Sequence, residues 1–420
     1  MLYDIGFAIF SLFYLPTLIF KGKLHRDFLE RFGKYDKAKR YALANAKDAI
    51  WIQAVSVGEV ALCRDFVPAL KTKFPARTII FSTITRTGND LARKLFANDA
   101  IVIYFPLDFS FIVKKVISLI RPKGYVMVET EIWPNFLKEI ERRAIAAILI
   151  NGRISDRSFG KYKMVKSFLR KIIKNMNALC MQSKTDAARI IELGARQERV
   201  KVTGNMKFDV KVKVGQDRGS DLRRELGMAE QDELIVAGST HEGEEDAVIA
   251  AFKDLVEKFP NLKLLIAPRH IERTGDVEEA VKRFGFLPIR LSGSLPLGIG
   301  PKVYILDTIG RLTDFYSIAS IVFIGGSLIK HGGQNPIEPA AYGKPVIFGC
   351  HMFNFKNVAE AFLAKGAAIR VDDGAELGPV LYNLFADNNK RLELGRAAKA
   401  VVIENQGATE KNLNEIGRFL

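Results

Sequence analysis

At 420 residues the chain exceeds what one hydrophobic core usually serves, so two domains are expected. Apolar residues make up 48% and charged residues 26%, which excludes a disordered or fibrous protein. Lys and Arg number 63 against 47 Asp and Glu, and the net charge of +16 favours an anionic partner: nucleic acid, acidic lipid headgroups or a phosphorylated substrate.

The chain begins with a charge-free run, Ile5 to Phe20. A bilayer-spanning helix needs ~20 apolar residues, so the run is marginal, and Pro16 weakens it. Asp4 precedes it, and neither the basic leader nor the cleavage site of a secretory signal is present. Lys21, Lys23, Arg26, Arg31, Lys34, Lys37, Lys39 and Arg40 follow, a basic stretch that predicts a membrane anchor with the next domain on the cytoplasmic side. The competing reading is a buried first helix.

Short apolar runs then alternate with helical stretches. Strands are predicted at Trp51–Val55, Thr78–Ser82, Ile101–Tyr104, Tyr125–Val128, Ile145–Ile150 and Ala178–Met181. A second series is predicted at Leu234–Ala237, Leu262–Ala267, Val303–Leu306, Ile321–Ile324, Val346–Phe348 and Ala368–Val371. Continuous apolar strands separated by helices describe parallel sheets covered on both faces. Two such sheets suggest two Rossmann-like domains with a cleft between them, joined through the polar stretch Lys207–Ser220.

Ligands of such sheets gather at the carboxyl ends of strands, which directs attention to those loops. After the first strand, Gly58 permits a tight turn and Glu59 opens a helix, as a base or merely to complement the macrodipole. Glu129 and Glu131 follow the fourth strand; on an extended segment they share a face, and their mutual repulsion raises one pKa. Pro134 there suits the first position of a helix. Asn151-Gly152-Arg153 and Asn205-Met206-Lys207 add fixed cations.

In the second half, Gly238-Ser239-Thr240-His241, Pro268-Arg269-His270, Gly310-Arg311 and Gly325-Gly326-Ser327 stand after strands. Gly332-Gly333-Gln334-Asn335 enters a helix carrying Glu338, a loop able to present N–H groups to phosphate while the carboxylate meets ribose hydroxyls. Neither GxGxxG nor GxxxxGK[ST] occurs. Four such loops in one domain suggest a nucleotide-sugar site. Cys63, Cys180 and Cys350 match no disulfide or metal pattern and are expected to be reduced and buried, and no histidine pair has metal-ligand spacing.

In order, WIQAVSVGE, ETEIWPN, NGRISDRS, GNMKFD, AGSTHEGEE, APRH, DTIGRL, GGSL and NPIEPAAYGKPVIFG resemble the Kdo transferases. These are membrane-associated enzymes that add 3-deoxy-D-manno-octulosonic acid to lipid A precursors. The resemblance implies an α/β, GT-B fold: two doubly wound parallel-sheet domains facing a central cleft, with an N-terminal membrane-anchor segment. On this basis residues 1–20 are the anchor, 21–210 the acceptor-binding domain and 211–420 the CMP-Kdo-binding domain, its last helix able to pack back on the first. The acceptor implied is lipid IVA, at the cytoplasmic side of the inner membrane among anionic lipids.

By the same resemblance Glu59 is the general base, and Glu129, Glu131 and Lys207 are further catalytic groups. Pro268, Arg269, His270, Ile309, Gly310, Arg311, Gly326, Ser327, Asn335, Pro336, Ile337 and Glu338 form the donor site. The reaction implied is an inverting single displacement, with no cofactor or metal. Gln53 departs from the family's usual histidine and removes any essential imidazole there. Two other readings stand beside this one: another GT-B nucleotide-sugar enzyme, such as an epimerase, and a basic nucleic-acid-binding protein, for which no signature appears.

Overall fold

The computed structural model describes residues 3–8, 26–210, 219–293 and 302–420. Most of the apolar N-terminal run, with Lys21 and Lys23, lies outside the described residues, as does 211–218 of the expected connector. Among the described residues no helix is long and apolar enough to cross a membrane. The chain divides into two compact units, Met1–Asp209 with Gln406–Leu420, and Val210–Asn405.

The first unit's sheet comprises β1 (Ile50–Gln53), β2 (Ile79–Thr83), β3 (Ala100–Tyr104), β4 (Gly124–Val128), β5 (Ala146–Gly152), β6 (Ala178–Met181) and β7 (Val200–Val202). Their order is β3-β2-β1-β4-β5-β6-β7, parallel throughout. The second unit's sheet comprises β8 (Glu233–Thr240), β9 (Leu262–Pro268), β10 (Pro288–Arg290), β11 (Lys302–Ile305), β12 (Ile321–Ile324), β13 (Val346–Gly349) and β14 (Ile369–Val371). It runs β10-β11-β9-β8-β12-β13-β14, again parallel. The edge strands β7 and β10 are additional to the twelve predicted strands. Each has three residues, too few for a readable alternation.

The order of each sheet reverses once, between β1 and β4 and between β8 and β12. Crossovers leave on opposite faces at such a point, which opens a crevice at the carboxyl ends of the two strands. Fully buried strands fill both faces. Trp51 and Tyr125 pack with Phe105 and Phe136 on one side of the first sheet, while Ile50, Ile52, Val126 and Ile148 pack on the other. Cys63 and Cys180 are buried, but Cys350 is exposed because it lies just past β13 in the loop that leaves the sheet.

Residues 406–420 belong to the first unit, so the last helix, placed from sequence at the end of the second domain and able to pack back on the first, is part of the first unit. The helix Ala408–Gly417 packs on β5 and β6 and buries Ala408, Leu413 and Ile416 in the core on that face of the sheet, where each large apolar residue so buried contributes about 2 kcal/mol. Asp209 fixes the start of this helix, accepting the N–H of Gly407 at 2.7 Å and of Thr409 at 2.5 Å. We predict that Asp209→Ala weakens this packing by ~1–2 kcal/mol, the usual effect of a lost helix cap. Hydrogen exchange should accelerate in residues 408–417 first; unchanged protection there would assign the helix to packing alone.

Candidate functional site

The crevice between β1 and β4 gathers four of the residues singled out from sequence. Glu59 sits in the first turn of the helix Val57–Leu62, behind the N-cap Ser56. One carboxylate oxygen accepts the Val55 N–H at 2.7 Å and the other the Ser56 hydroxyl at 3.0 Å. The side chain thus does serve the helix start. It is also 9% exposed, and burial, reinforced by the charges of Glu129 and Glu131 against those hydrogen bonds, lifts its pKa to about 7.

Glu129 and Glu131 come together by a route other than the extended segment expected. Glu129 has φ 58°, in the left-handed region that a non-glycine residue adopts at a cost. Its N–H donates to the Ile150 carbonyl at 3.0 Å, and its own carbonyl accepts the Glu131 N–H at 3.1 Å. The chain therefore turns sharply as it leaves β4. Burial, and then the charge of Glu129, raise the Glu131 carboxyl to about 7. Burial also raises Glu129, against the attraction of Lys207 and Arg153.

Lys207 reaches this cluster from the 3-10 turn Met206–Phe208. Burial lowers its pKa, Glu129 opposes that shift and Arg153 adds to it. Two asparagines hold the turn: Asn151 accepts the Met206 N–H and Asn205 the Lys207 N–H, each at 3.0 Å. Thr130 ties the acidic loop to its neighbour, donating to the Arg153 carbonyl at 2.6 Å and accepting the Arg153 N–H at 3.2 Å. Arg153, Thr130 and Asn151 were not selected from sequence as site residues. Their signals there were the fixed cation of Arg153 and their places in the two motifs at the ends of β4 and β5.

Gln53, at the end of β1, is fully buried and accepts a hydrogen bond from the Tyr125 hydroxyl. Its Nε2 has no hydrogen-bond partner. The residue at this position thus supports Tyr125 beneath the acidic loop.

The crevice between β8 and β12 is organised by a residue that sequence reasoning passed over. The Glu244 carboxylate is fully buried and accepts the N–H groups of Gly326 at 2.6 Å, Ser327 at 2.9 Å, Leu328 at 3.0 Å and His241 at 3.0 Å. The Ser327 hydroxyl donates to the Ile324 carbonyl and accepts the Gly349 N–H. The N–H groups of Gly326 and Ser327 are therefore spent on Glu244 and not on a phosphate. The N–H groups of Gly333 and Gln334 are likewise taken, by the carbonyls of Gly326 and Gly325. Gly325 leaves no room for a Cβ against the Ser239 carbonyl, so the close approach of two strand ends, and not of a ligand, demands glycine there.

Around this core, Arg269 and His270 are exposed just past β9, while Pro268 is buried as its last residue. His241 stacks on His331 at 4.4 Å and lies 6.1 Å from the His270 ring. Burial, followed by the nearby His331, His270 and Arg269, pushes His241 down to about 4, so it is neutral at pH 7. Ile309 is 84% exposed beside Gly310, whereas Arg311 is engaged by Glu225 at 2.6 Å. Ile337 is wholly buried and Pro336 is buried, which excludes their side chains from a ligand. Asn335 donates to Glu338 at 3.1 Å and accepts the Ile337 N–H at 3.1 Å, leaving both side chains partly exposed at the head of the helix Ile337–Ala341.

Residues 26–210 match the family model described as 3-deoxy-D-manno-octulosonic-acid transferase (kdotransferase). The chain is also 33% identical over 410 residues to the 3-deoxy-D-manno-octulosonic acid transferase of Haemophilus influenzae, covering 97% of this chain and 95% of that one. The chain belongs to the Kdo transferase family. It is an enzyme, a glycosyltransferase of Kdo transfer. Among solved structures, the UDP-GlcNAc 2-epimerase of Neisseria meningitidis aligns with TM-score 0.61 at 12% identity, over 88% of this chain and 100% of that one. A glycosyltransferase from Rickettsia africae aligns with TM-score 0.59 at 14% identity, over 89% and 98%. These two share the GT-B fold with this Kdo transferase.

Removing the carboxylate of Glu244 would leave buried N–H groups without acceptors, each costing ~1–3 kcal/mol. Glu244→Ala should therefore destabilise the second unit by at least about 3 kcal/mol in urea unfolding. A near-native midpoint would show that the loop has another support.

Proposed function

We propose that this enzyme transfers Kdo from CMP-Kdo to lipid IVA in lipopolysaccharide core biosynthesis, on the cytoplasmic side of the bacterial inner membrane, with Glu59 as general base. The observation that carries the reading is the buried Glu59 carboxyl, lifted to about 7 at the switch point of the first sheet. A base with its pKa near the working pH combines a useful fraction of carboxylate with enough basicity to take a hydroxyl proton.

In the proposed step an acceptor hydroxyl attacks the anomeric carbon of Kdo as its proton passes to Glu59. The bond from that carbon to the CMP phosphate oxygen breaks, its electron pair leaves with CMP, and configuration inverts. Positive charge develops on the sugar as this bond opens, and Glu129 and Glu131 supply negative charge to meet it. Lys207, beside Glu129, supplies a cation for the acceptor or leaving phosphate. In the second unit, Arg269 and His270 would meet the CMP phosphate, the Ile309–Gly310 backbone and the Asn335 amide its base, and Glu338 its ribose.

A lipid acceptor requires contact with a membrane surface. A row of aromatic rings runs over the first unit from Phe168 through Tyr3, Phe7 and Phe109 to Phe111, with successive centroids 6.4, 5.9, 4.9 and 5.7 Å apart. Phe111 and Met164 are 69% and 80% exposed, and Lys114, Lys161, Lys166 and Arg170 are exposed nearby in sequence. Apolar side chains bordered by cations suit an anionic bilayer, and together with the N-terminal run they support a peripheral attachment.

Glu59→Gln should keep the fold and lower kcat by ~10²–10⁴, the usual contribution of a general base. Because Glu59 acts as carboxylate, kcat/KM should fall as pH drops below about 7. Glu131→Gln removes a neighbouring negative charge and should move that limb to lower pH. Assays with CMP-Kdo and lipid IVA, read by mass spectrometry of the lipid, check all three; a folded Glu59→Gln enzyme with normal turnover would remove Glu59 from the role.

Arg269→Ala and Glu338→Ala should each weaken CMP binding, the first with a salt-dependent defect and the second with little salt dependence. Calorimetric titration at two salt concentrations distinguishes them. Unchanged affinity in both variants would move the nucleotide elsewhere.

A further inference from the structure

Two helices of the first unit, Ser110–Ile120 and Pro134–Arg142, begin without a capping side chain of their own, since Phe109 and Trp133 occupy the N-cap positions. Their free N–H groups are served from elsewhere in the chain. Asp108 accepts the N–H of Asn135 at 3.0 Å and of Phe136 at 2.8 Å. Asp4 accepts the N–H of Ser110 at 2.8 Å and the side-chain amide of Asn135 at 2.9 Å. That amide also donates to the Asp108 carbonyl at 2.6 Å, and the Tyr3 hydroxyl bonds the Asp108 carboxylate.

Asp4 thus bridges two helix starts, reaching Asn135 across 131 positions of sequence. Asn135 stands four residues after Glu131, at the end of the acidic loop. The other end of that loop is held by the Glu129 N–H on Ile150 and by the Thr130–Arg153 clasp. Glu131 lies between the two attachments. We infer that Asp4 and Asn135 are positioning residues for Kdo transfer: the N-terminal segment holds one end of the Glu129–Trp133 loop and thereby fixes Glu131 against Glu59. The same short helix carries Tyr3 and Phe7 of the aromatic row, so what grips that row also bears on the loop.

This inference rests on the acidic-cluster reading of the site. The groups facing Glu131 and Glu59 are Glu129 in the same loop, Tyr125 on β4 and Tyr162 in the helix Asp156–Met164 beside Glu131, and Cys63 beside Glu59. Lys207 and Arg153 face Glu129. A loosened loop admits water to the buried carboxyls, and their pKa values fall toward the ordinary 4.5.

The test uses the full chain in detergent, with CMP-Kdo and lipid IVA, and compares Asp4→Ala, Asn135→Ala, their double variant, Asp4→Asn and Glu131→Gln. Asp4→Ala should lower kcat roughly 10- to 100-fold, as misplacement of a reacting group does, leave the KM for donor unchanged, and shift the acid limb of kcat/KM downward. Asn135→Ala should behave alike, and the double variant should be no worse than either single one. Asp4→Asn keeps an acceptor oxygen and should recover most of the turnover; it also decides the matter if Asp4→Ala fails to fold. Wild-type kcat and acid limb in Asp4→Ala, additive losses in the double variant, or an equal loss in Asp4→Asn would overturn the inference. If Glu131→Gln is itself fully active, the acidic-cluster reading fails; if it is crippled while Asp4→Ala is normal, only the positioning role fails.

Discussion

Three carboxylates and one lysine held together out of water are the constraint on which the first unit depends. A buried carboxylate is expensive unless hydrogen bonds or opposite charge compensate it, and an uncompensated one takes up a proton instead. Glu59 receives two hydrogen bonds, Glu129 faces Lys207 and Arg153, and Glu131 draws its upward shift from burial and a like charge. Around them the chain accepts a left-handed Glu129, a 3-10 turn fixed by asparagines and helix starts capped by distant aspartates. Each of these holds the loops that carry the charges.

The second unit makes the opposite choice at the equivalent place in its sheet. Glu244 also lies in the first turn of a helix at the switch point, buried without exposure, but four backbone N–H groups surround it. Its hydrogen-bonding capacity is largely spent on the fold. In the proposed function the donor is met at the rim of that unit, by Arg269, His270, the Ile309–Gly310 backbone, and the side chains of Asn335 and Glu338. The same residue type thus forms a scaffold in one unit and, in the proposed mechanism, the base in the other, and the number of donors around it makes the difference.

The two parallel sheets were legible because buried strands are continuous apolar runs; β6 and β12 have the bounds read from sequence. The edge strands were not, since Val200–Val202 places a lysine between two valines and Pro288–Arg290 begins with proline. Glu59 was legible as a carboxylate at a strand-to-helix turn. The company of Glu129 and Glu131 was also legible, though its cause was not, because a left-handed residue followed by a sharp turn imitates the contact expected of an extended pair. Glu244 looked like one acid among several in a helix start, and only the folded loop 326–328 gives it meaning. The Asp4–Asn135 contact joins positions 131 residues apart and has no local signature.

The most direct measurement of the account is a carbon-13 NMR titration of the glutamate side-chain carboxyls in the full-length protein, with Glu59→Gln and Glu131→Gln used to assign the resonances. Buried and mutually repelling, Glu59 and Glu131 should both titrate near 7, well above the 4.5 of an ordinary glutamate, and each should move downward when the other is replaced. Titration of both near 4.5, unaffected by either substitution, would contradict the desolvated cluster and, with it, the placing of the general base.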